Sequence, residues 1–295
     1  MPDKLVRGSS MDGAIRVFAA VTTDLVNEAH RIHATYPVAT AALGRLLTGA
    51  AIMGAASLKN ETDSLTLQIK GGGDIKDMVA VSDSKSRVRG YISNPYIIRP
   101  LNSAGKLDVG GAVGGGTLSV IRDLGMREPY IGQIPLVSGE IAEDLTYYYA
   151  KSEQTPTSIA LGVLVDTDNT AIAAGGFMVQ LMPEASEETA EQLEKVLKSL
   201  PPVTTMIKEG MDAEDILFRV TDGFSMLCSN DVTVPLYKCT CSRERMERTL
   251  ILLGKKELQS LIDEQEDTEM TCRFCDNKYN FTKSELKTLL DKAKR

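Results

Sequence analysis

Four of the chain's five cysteines fall within one stretch, KCTCSRERMERTLILLGKKELQSLIDEQEDTEMTCRFC, residues 238–275. One residue lies between Cys239 and Cys241, two lie between Cys272 and Cys275, and 30 separate the pairs. Four thiolates gathered by intervening chain make a closed tetrahedral site, the usual way structural zinc is held. The pattern points to a zinc site formed by Cys239, Cys241, Cys272 and Cys275 rather than to four ordinary buried cysteines. The first pair departs from the common finger spacing, which leaves two or more residues between ligands. A Cys-x-Cys pair holds its sulfurs close and can oxidise to a small, strained disulfide, the kind that tends to be regulatory. Cys-x-x-Cys is the spacing of redox-active dithiols. Each pair therefore suits a metal when reduced and a local disulfide when oxidised. Cys228, in MLCSN, stands apart and reads as a buried apolar residue.

No other constellation competes. The glycines of KGGGD and VGGAVGGGT fit neither phosphate-loop pattern, so they read as turn and close-packing glycines. His30 and His33 share a face of one expected helix, but no cysteine or marked carboxylate accompanies them, which argues against a metal role. Neither G-x-S-x-G nor H-E-x-x-H occurs, and the case for a hydrolytic enzyme is weak. The chain is expected not to be an enzyme.

The elements that would carry these residues are mixed. AIRVFAAVTT (14–23) alternates like a strand, and residues 24–58 read as two helices broken at Tyr36-Pro37. SLTLQIKG, DMVAVSD and RVRGYIS form an expected meander interrupted at Gly71–Gly73. GTLSVIRDLG adds a strand, and SIALGVLVDTDNTAIAAGGFMVQLM a hairpin with its tip at Asp166–Asn169. SGEIAEDLTYYYAKS (138–152) reads as a helix capped by Ser138. At Pro183 the composition shifts to a charged amphipathic helix with Leu193, Val196, Leu197 and Leu200 on one face, ended by Pro201-Pro202. Two short helical pieces follow, VTTMIKEG and AEDILFRV, and no sheet is expected in 183–234. The final helix opens at FTKSEL, with Thr282 and Glu285 as a capping box and Phe281 stapled onto Leu286. The expected class is α+β, in three parts: a mixed α/β core domain of sheets and packed helices (1–182), a helical linker (183–234), and a small four-cysteine zinc module (235–295).

Composition narrows the function. The chain has 295 residues, is 43% apolar and 25% charged, has 12 Met and no Trp, and carries a net charge of −7. A nucleic-acid binder needs a basic excess to displace phosphate counterions, so nucleic acid is disfavoured as a partner. The first 18 residues have scattered charges and no apolar core of a secretory signal, and the weakly polar run at 46–58 is too short to cross a bilayer. A cytoplasmic protein without a membrane partner is expected, in a compartment where clustered cysteines are metal ligands or redox centres rather than structural disulfides.

KCTCSRERMERTL followed by TCRFCDNKYNF resembles the C-terminal module of the heat-shock protein 33 family, the redox-regulated chaperones. LTLQIKGGGDI…VRGYISNP is similar to that family's core, so the resemblance runs over nearly the whole chain. It implies a cytoplasmic stress-response holdase, inactive when reduced and zinc-bound, that protects unfolding and oxidatively damaged clients from aggregation. It further implies activation by Cys239–Cys241 and Cys272–Cys275 disulfides with zinc release, and a homodimer on activation. Two alternatives remain from the residues alone: a thiol–disulfide oxidoreductase, since Cys-x-x-Cys is also that enzyme's device, and a zinc-module nucleic-acid binder, suggested by SRERMER and the basic tail Lys283–Arg295 but opposed by the acidic interior DEQEDTE.

Overall fold

IRVFAAV is apolar at nearly every position, which suits a strand buried on both faces, and β2 (Ile15–Val21) is the central strand of such a sheet. In the computed structural model, which describes residues 1–264 and 267–293, the contacts divide the chain into two units, Met1–Lys238 and Cys239–Arg295. Gln265 and Glu266 of the acidic run, and Lys294 and Arg295 of the basic tail, lie outside the described residues.

In the first unit, β2 pairs antiparallel with β1 (Lys4–Ser10) and β9 (Ala171–Leu181); with β8 (Thr157–Val165) and β10 (Met226–Cys228) at the edges, the strand order is β10-β1-β2-β9-β8. The β8 (Thr157–Val165) to β9 turn closes through the amide of Asp166 on Thr170 O and that of Asn169 on Asp166 O, as the hairpin reading expects. One face of this sheet is covered by α1 (Thr23–His33) and α2 (Pro37–Ser57), the other by α5 (Glu187–Ser199), α6 (Val203–Lys208) and α7 (Ala213–Val220). A second sheet, β11-β5-β4-β3-β6-β7, holds the expected meander β3 (Ser64–Gly71), β4 (Asp77–Asp83) and β5 (Arg87–Ile92). It is completed by β6 (Gly116–Asp123), β7 (Tyr130–Pro135) and the two-residue β11 (Leu236–Tyr237), which runs parallel to β5.

Helix α2 touches both sheets and is buried on nearly all sides. Gly44 and Gly49 make that possible: a methyl at either would lie 2.8–3.0 Å from Val26, Val163 or Leu145. At 21 residues α2 is long and apolar enough to cross a bilayer, which the run at 46–58, only its C-terminal part, does not reveal. Of its most apolar window 89% is buried inside the protein, so it is the core helix of the first unit. The two glycine-rich segments, the second of which carries the short helix α3 (Val109–Val113), pack on each other: the amides of Gly72 and Gly73 donate to Gly115 O and Val113 O, and a methyl on Gly71 would stand 2.2 Å from Val113 O.

Two expectations are corrected. The segment 183–234 is not free of sheet: β10 (Met226–Cys228) pairs with Gly8–Ser10 of β1, and Thr233 bridges Leu5. A three-residue strand has too short a pattern to register; the unpaired edge of β1 recruits it. The helix expected at 138–152 starts instead at Ala142 and runs as α4 (Ala142–Tyr148) into a π-turn, Tyr149–Glu153. Ser138 is not its cap. The buried Asp144 carboxylate gathers the amides of Val137, Ser138, Gly139 and Ile141 at 2.7–3.4 Å, folding that stretch into a turn before the helix.

The second unit is built from α8 (Arg243–Leu253), α9 (Lys255–Glu264), the hairpin β12 (Asp267–Thr271) and β13 (Lys278–Thr282), and α10 (Lys283–Lys292). Leu250, Leu258, Ile262, Phe281, Leu286, Leu289 and Ala293 form its core. The capping box at Thr282 and Glu285 forms as read, and Phe281 and Leu286 are both fully buried in that core.

Candidate metal centre

Both cysteine pairs are positioned by short, hydrogen-bonded backbone. Cys239 and Cys241 lie on the segment entering α8, whose N-cap Ser242 accepts the amide of Arg245. Cys272 follows β12, where its amide donates to Asn277 O at 2.9 Å; the amides of Cys275 and Asp276 return to Cys272 O at 3.3 and 2.8 Å. Asp276 completes the turn in the left-handed region, φ 57°. Asp and Asn are the non-glycine residues that tolerate this conformation best. The hairpin is held to the start of α8 by Arg243. Its guanidinium lies 4.4 Å from the Phe281 ring centre, donates to Asn280 O at 3.0 Å and pairs with Glu285 at 2.7 Å.

This scaffold brings the four sulfurs within 4.8 Å of one another. Cys239 Sγ is 3.7 Å from Cys272 Sγ, and Cys241 Sγ is 3.4 Å from Cys275 Sγ. Cys272 is buried and the other three are half-buried. The Tyr279 hydroxyl, from β13, donates to Cys241 Sγ at 3.1 Å. Burial pushes the Cys239 thiol up to about 11 and raises that of Cys275. For Cys241 burial also acts upward, but the Tyr279 hydroxyl and the neighbouring thiols outweigh it and bring the thiol down to about 7. In return Tyr279 is pushed up to about 12 by its bond to that sulfur. The all-sulfur donor set could hold a metal ion of soft or borderline character.

All four residues expected at the site are brought together. Tyr279 was not legible as part of it; the available signal is its place opposite Met270 in the hairpin register, four residues after Cys275. The Cys-x-x-Cys lies in a hairpin turn and not at a helix N-terminus. Cys228 lies in the other unit on β10, half-buried rather than fully buried, its thiol 3.8 Å from Ser229 O. The histidines of α1 serve the fold: His30 Nδ1 meets Thr35 O at 3.0 Å, and His33 Nε2 meets Gly90 O at 2.9 Å and the Tyr237 hydroxyl at 3.1 Å.

A family model described as Hsp33 protein matches residues 3–282. The chain is 49% identical over 295 residues to the 33 kDa chaperonin of Clostridium beijerinckii, covering all of both chains. It is 48% identical over 290 residues to that of Acetivibrio thermocellus, covering 98% of this chain and 97% of the relative. Among solved structures, the crystal structure of the 33 kDa chaperonin (heat shock protein 33 homolog) of Thermotoga maritima superposes with a TM-score of 0.89 at 39% identity, covering 99% of this chain and 98% of the other. With the matched region spanning both the core sheets and the cysteine cluster, the chain belongs to the Hsp33 family.

Proposed function

We propose that this protein is a cytoplasmic, redox-regulated holdase chaperone whose reduced form holds one zinc ion through Cys239, Cys241, Cys272 and Cys275. The observation that carries the reading is the clustering of four sulfurs from two distant pairs within 4.8 Å. A tetrahedral zinc with Zn–S bonds of about 2.3 Å needs sulfur–sulfur edges of about 3.8 Å. The 3.4 and 3.7 Å contacts lie near that value. Bound zinc supplies a four-coordinate cross-link and holds the ligands as thiolates. The chain's own residues then tie the start of α8 to the hairpin turn, closing the small core of the second unit.

Oxidation removes the ligands, because a disulfide sulfur is no longer a thiolate. The pairing matters. A cross-pair bond such as Cys239–Cys272 would restrain the unfolded chain by about 4 kcal/mol and keep the unit stapled. Cys239–Cys241 and Cys272–Cys275 close tiny loops and restrain it little. The local pairing is the one the resemblance to the family implies, and it is the one proposed here.

Clients are unfolding and oxidatively damaged proteins. The surface offered to them is the sheet face under α5, α6 and α7, where Val17, Ala19, Phe177 and Val179 pack against Leu193 and Met206. Large apolar faces, once uncovered, bind protein. A homodimer of the active form belongs to the same proposal. Against a zinc-module nucleic-acid binder stands the charge of residues 239–295, with 12 basic and 11 acidic side chains, a basic excess of one. Against an oxidoreductase stands the absence of a helix N-terminus at Cys272, which would activate its thiol.

The test measures zinc content, thiol state and suppression of client aggregation together. Peroxide with mild heat is expected to release one zinc per chain, form the two local disulfides in peptide maps and switch on suppression. A reductant with zinc reverses all three. Equal chaperone activity in the reduced zinc-loaded and oxidised zinc-free forms would overturn the switch.

A further inference from the structure

Cys241 accepts a side-chain hydroxyl, that of Tyr279, at 3.1 Å. Tyr279 stands on β13 directly across from Met270, so its ring is held by the hairpin that also carries Cys272 and Cys275. A hydroxyl donating to a sulfur draws charge from it, and a sulfur with less available charge is a weaker nucleophile. Partners of this kind around metal ligands commonly tune the centre without touching the metal.

We propose that Tyr279 is a positioning residue that sets the peroxide sensitivity of the cysteine centre, by holding back attack from Cys241. The step it restrains is the first one. A thiolate sulfur attacks one oxygen of a hydroperoxide; the S–O bond forms, the O–O bond breaks, hydroxide leaves, and the sulfur is oxidised by two electrons to a sulfenic acid. A second thiolate then attacks that sulfur, forming the disulfide and expelling the oxygen as a second hydroxide. Cys272 is buried, and the hydrogen bond that position 279 supplies goes to Cys241. Without the hydroxyl, Cys241 becomes the preferred first point of attack.

This inference rests on the reading of the four cysteines as a zinc-holding redox centre, and the experiment separates the two. The full-length reduced protein and Tyr279→Phe are loaded with zinc, and zinc per chain is measured. Both are treated with hydrogen peroxide, zinc release is followed with a chromogenic chelator, and samples quenched early by alkylation are mapped for the first cysteine oxidised. Tyr279→Phe is expected to keep its zinc and release it about three- to tenfold faster, the range expected when a charge-assisted hydrogen bond is partly felt in the attack. Its early oxidation is expected to concentrate at Cys241. If the wild-type protein itself holds no zinc or ignores peroxide, the proposed function fails. If it behaves as proposed but Tyr279→Phe releases zinc at the same rate with the same distribution, the Tyr279 inference alone fails. Equal acceleration at all four cysteines would mark a merely loosened fold and also overturns it. Should Tyr279→Phe lose zinc before peroxide is added, 3-fluorotyrosine at position 279 decides. It keeps the shape and donates more strongly, so release must slow, and an unchanged rate overturns the inference.

Discussion

Asp3 shows how a single side chain ties the first strand to the core helices. It is 5% exposed, and its carboxylate accepts the amides of Asp24 and Leu25 at 2.9 and 2.8 Å, at the start of α1. Burial outweighs those amides and pushes the carboxyl up to about 6 from its ordinary 3.8. The folded state therefore holds this proton more tightly than the unfolded chain does. Its contribution favours folding most below about pH 4 and is lost as pH rises through 6, by about 3 kcal/mol in all. Asp3→Asn removes the titration. Urea unfolding of the two proteins between pH 4 and 7 should give a stability difference that drifts in favour of the variant as pH rises. A constant difference across that range would show that Asp3 does not titrate there. Nothing in MPDKLV marks this residue; its role comes from Asp24 and Leu25, some 20 positions on, so the sequence pattern could not reveal it.

At the scale of elements, legibility followed the strength of the local signal. The break at Tyr36-Pro37, the hairpin tip at Asp166–Asn169 and the capping box of α10 each have a local cause, a missing amide, a turn-forming run or a reciprocal pair of side chains, and all three appear as read. The strands β1, β7 and β10 were not legible. KLVRGSS mixes charge, glycine and serine, and β10 is three residues long, so both owe their form to partners across the sheet. The cysteine cluster was the most legible feature because the chemistry requires residue types that are otherwise scarce, whereas the tyrosine beside it is an ordinary strand residue. The α10 cap carries a prediction. Thr282 Oγ1 accepts the Glu285 amide while the Glu285 carboxylate accepts that of Thr282, anchoring a helix that buries Leu286 and Leu289. Thr282→Ala should cost about 1 kcal/mol. On the proposed zinc site, it should lower the temperature at which the reduced protein releases the metal, by a few degrees, with the zinc content at room temperature unchanged. A variant as heat-resistant as the wild type would mean that α10 does not support the centre.

For the whole molecule the decisive contrast is between the two units. The first spreads its core over both faces of a five-stranded sheet and around α2, and needs no metal to account for its packing. Among the described residues, the second has a core of seven buried apolar side chains in a unit of about 57 residues, a size at which a hydrophobic core alone is marginal. Zinc in a structural cysteine site contributes roughly 10–16 kcal/mol in apparent terms, as much as the whole stability of an ordinary domain. If the cluster holds zinc as proposed, losing the metal should unfold the second unit and leave the first standing. If chaperone action is released by that unfolding, removing the second unit outright should have the same effect. The cut belongs after Lys238, since Leu236 and Tyr237 pair with Arg87 and Val88 of β5 and the Lys238 amide donates to Val88 O at 2.8 Å. A chain of residues 1–238 should unfold cooperatively, contain no zinc, and suppress the aggregation of a heat-denatured client equally well with peroxide or with reductant. Light scattering of the client and circular dichroism of the truncated chain decide it together. A truncated chain that is folded yet inert would mean that the second unit takes part in holding clients, rather than restraining a first unit that holds them by itself.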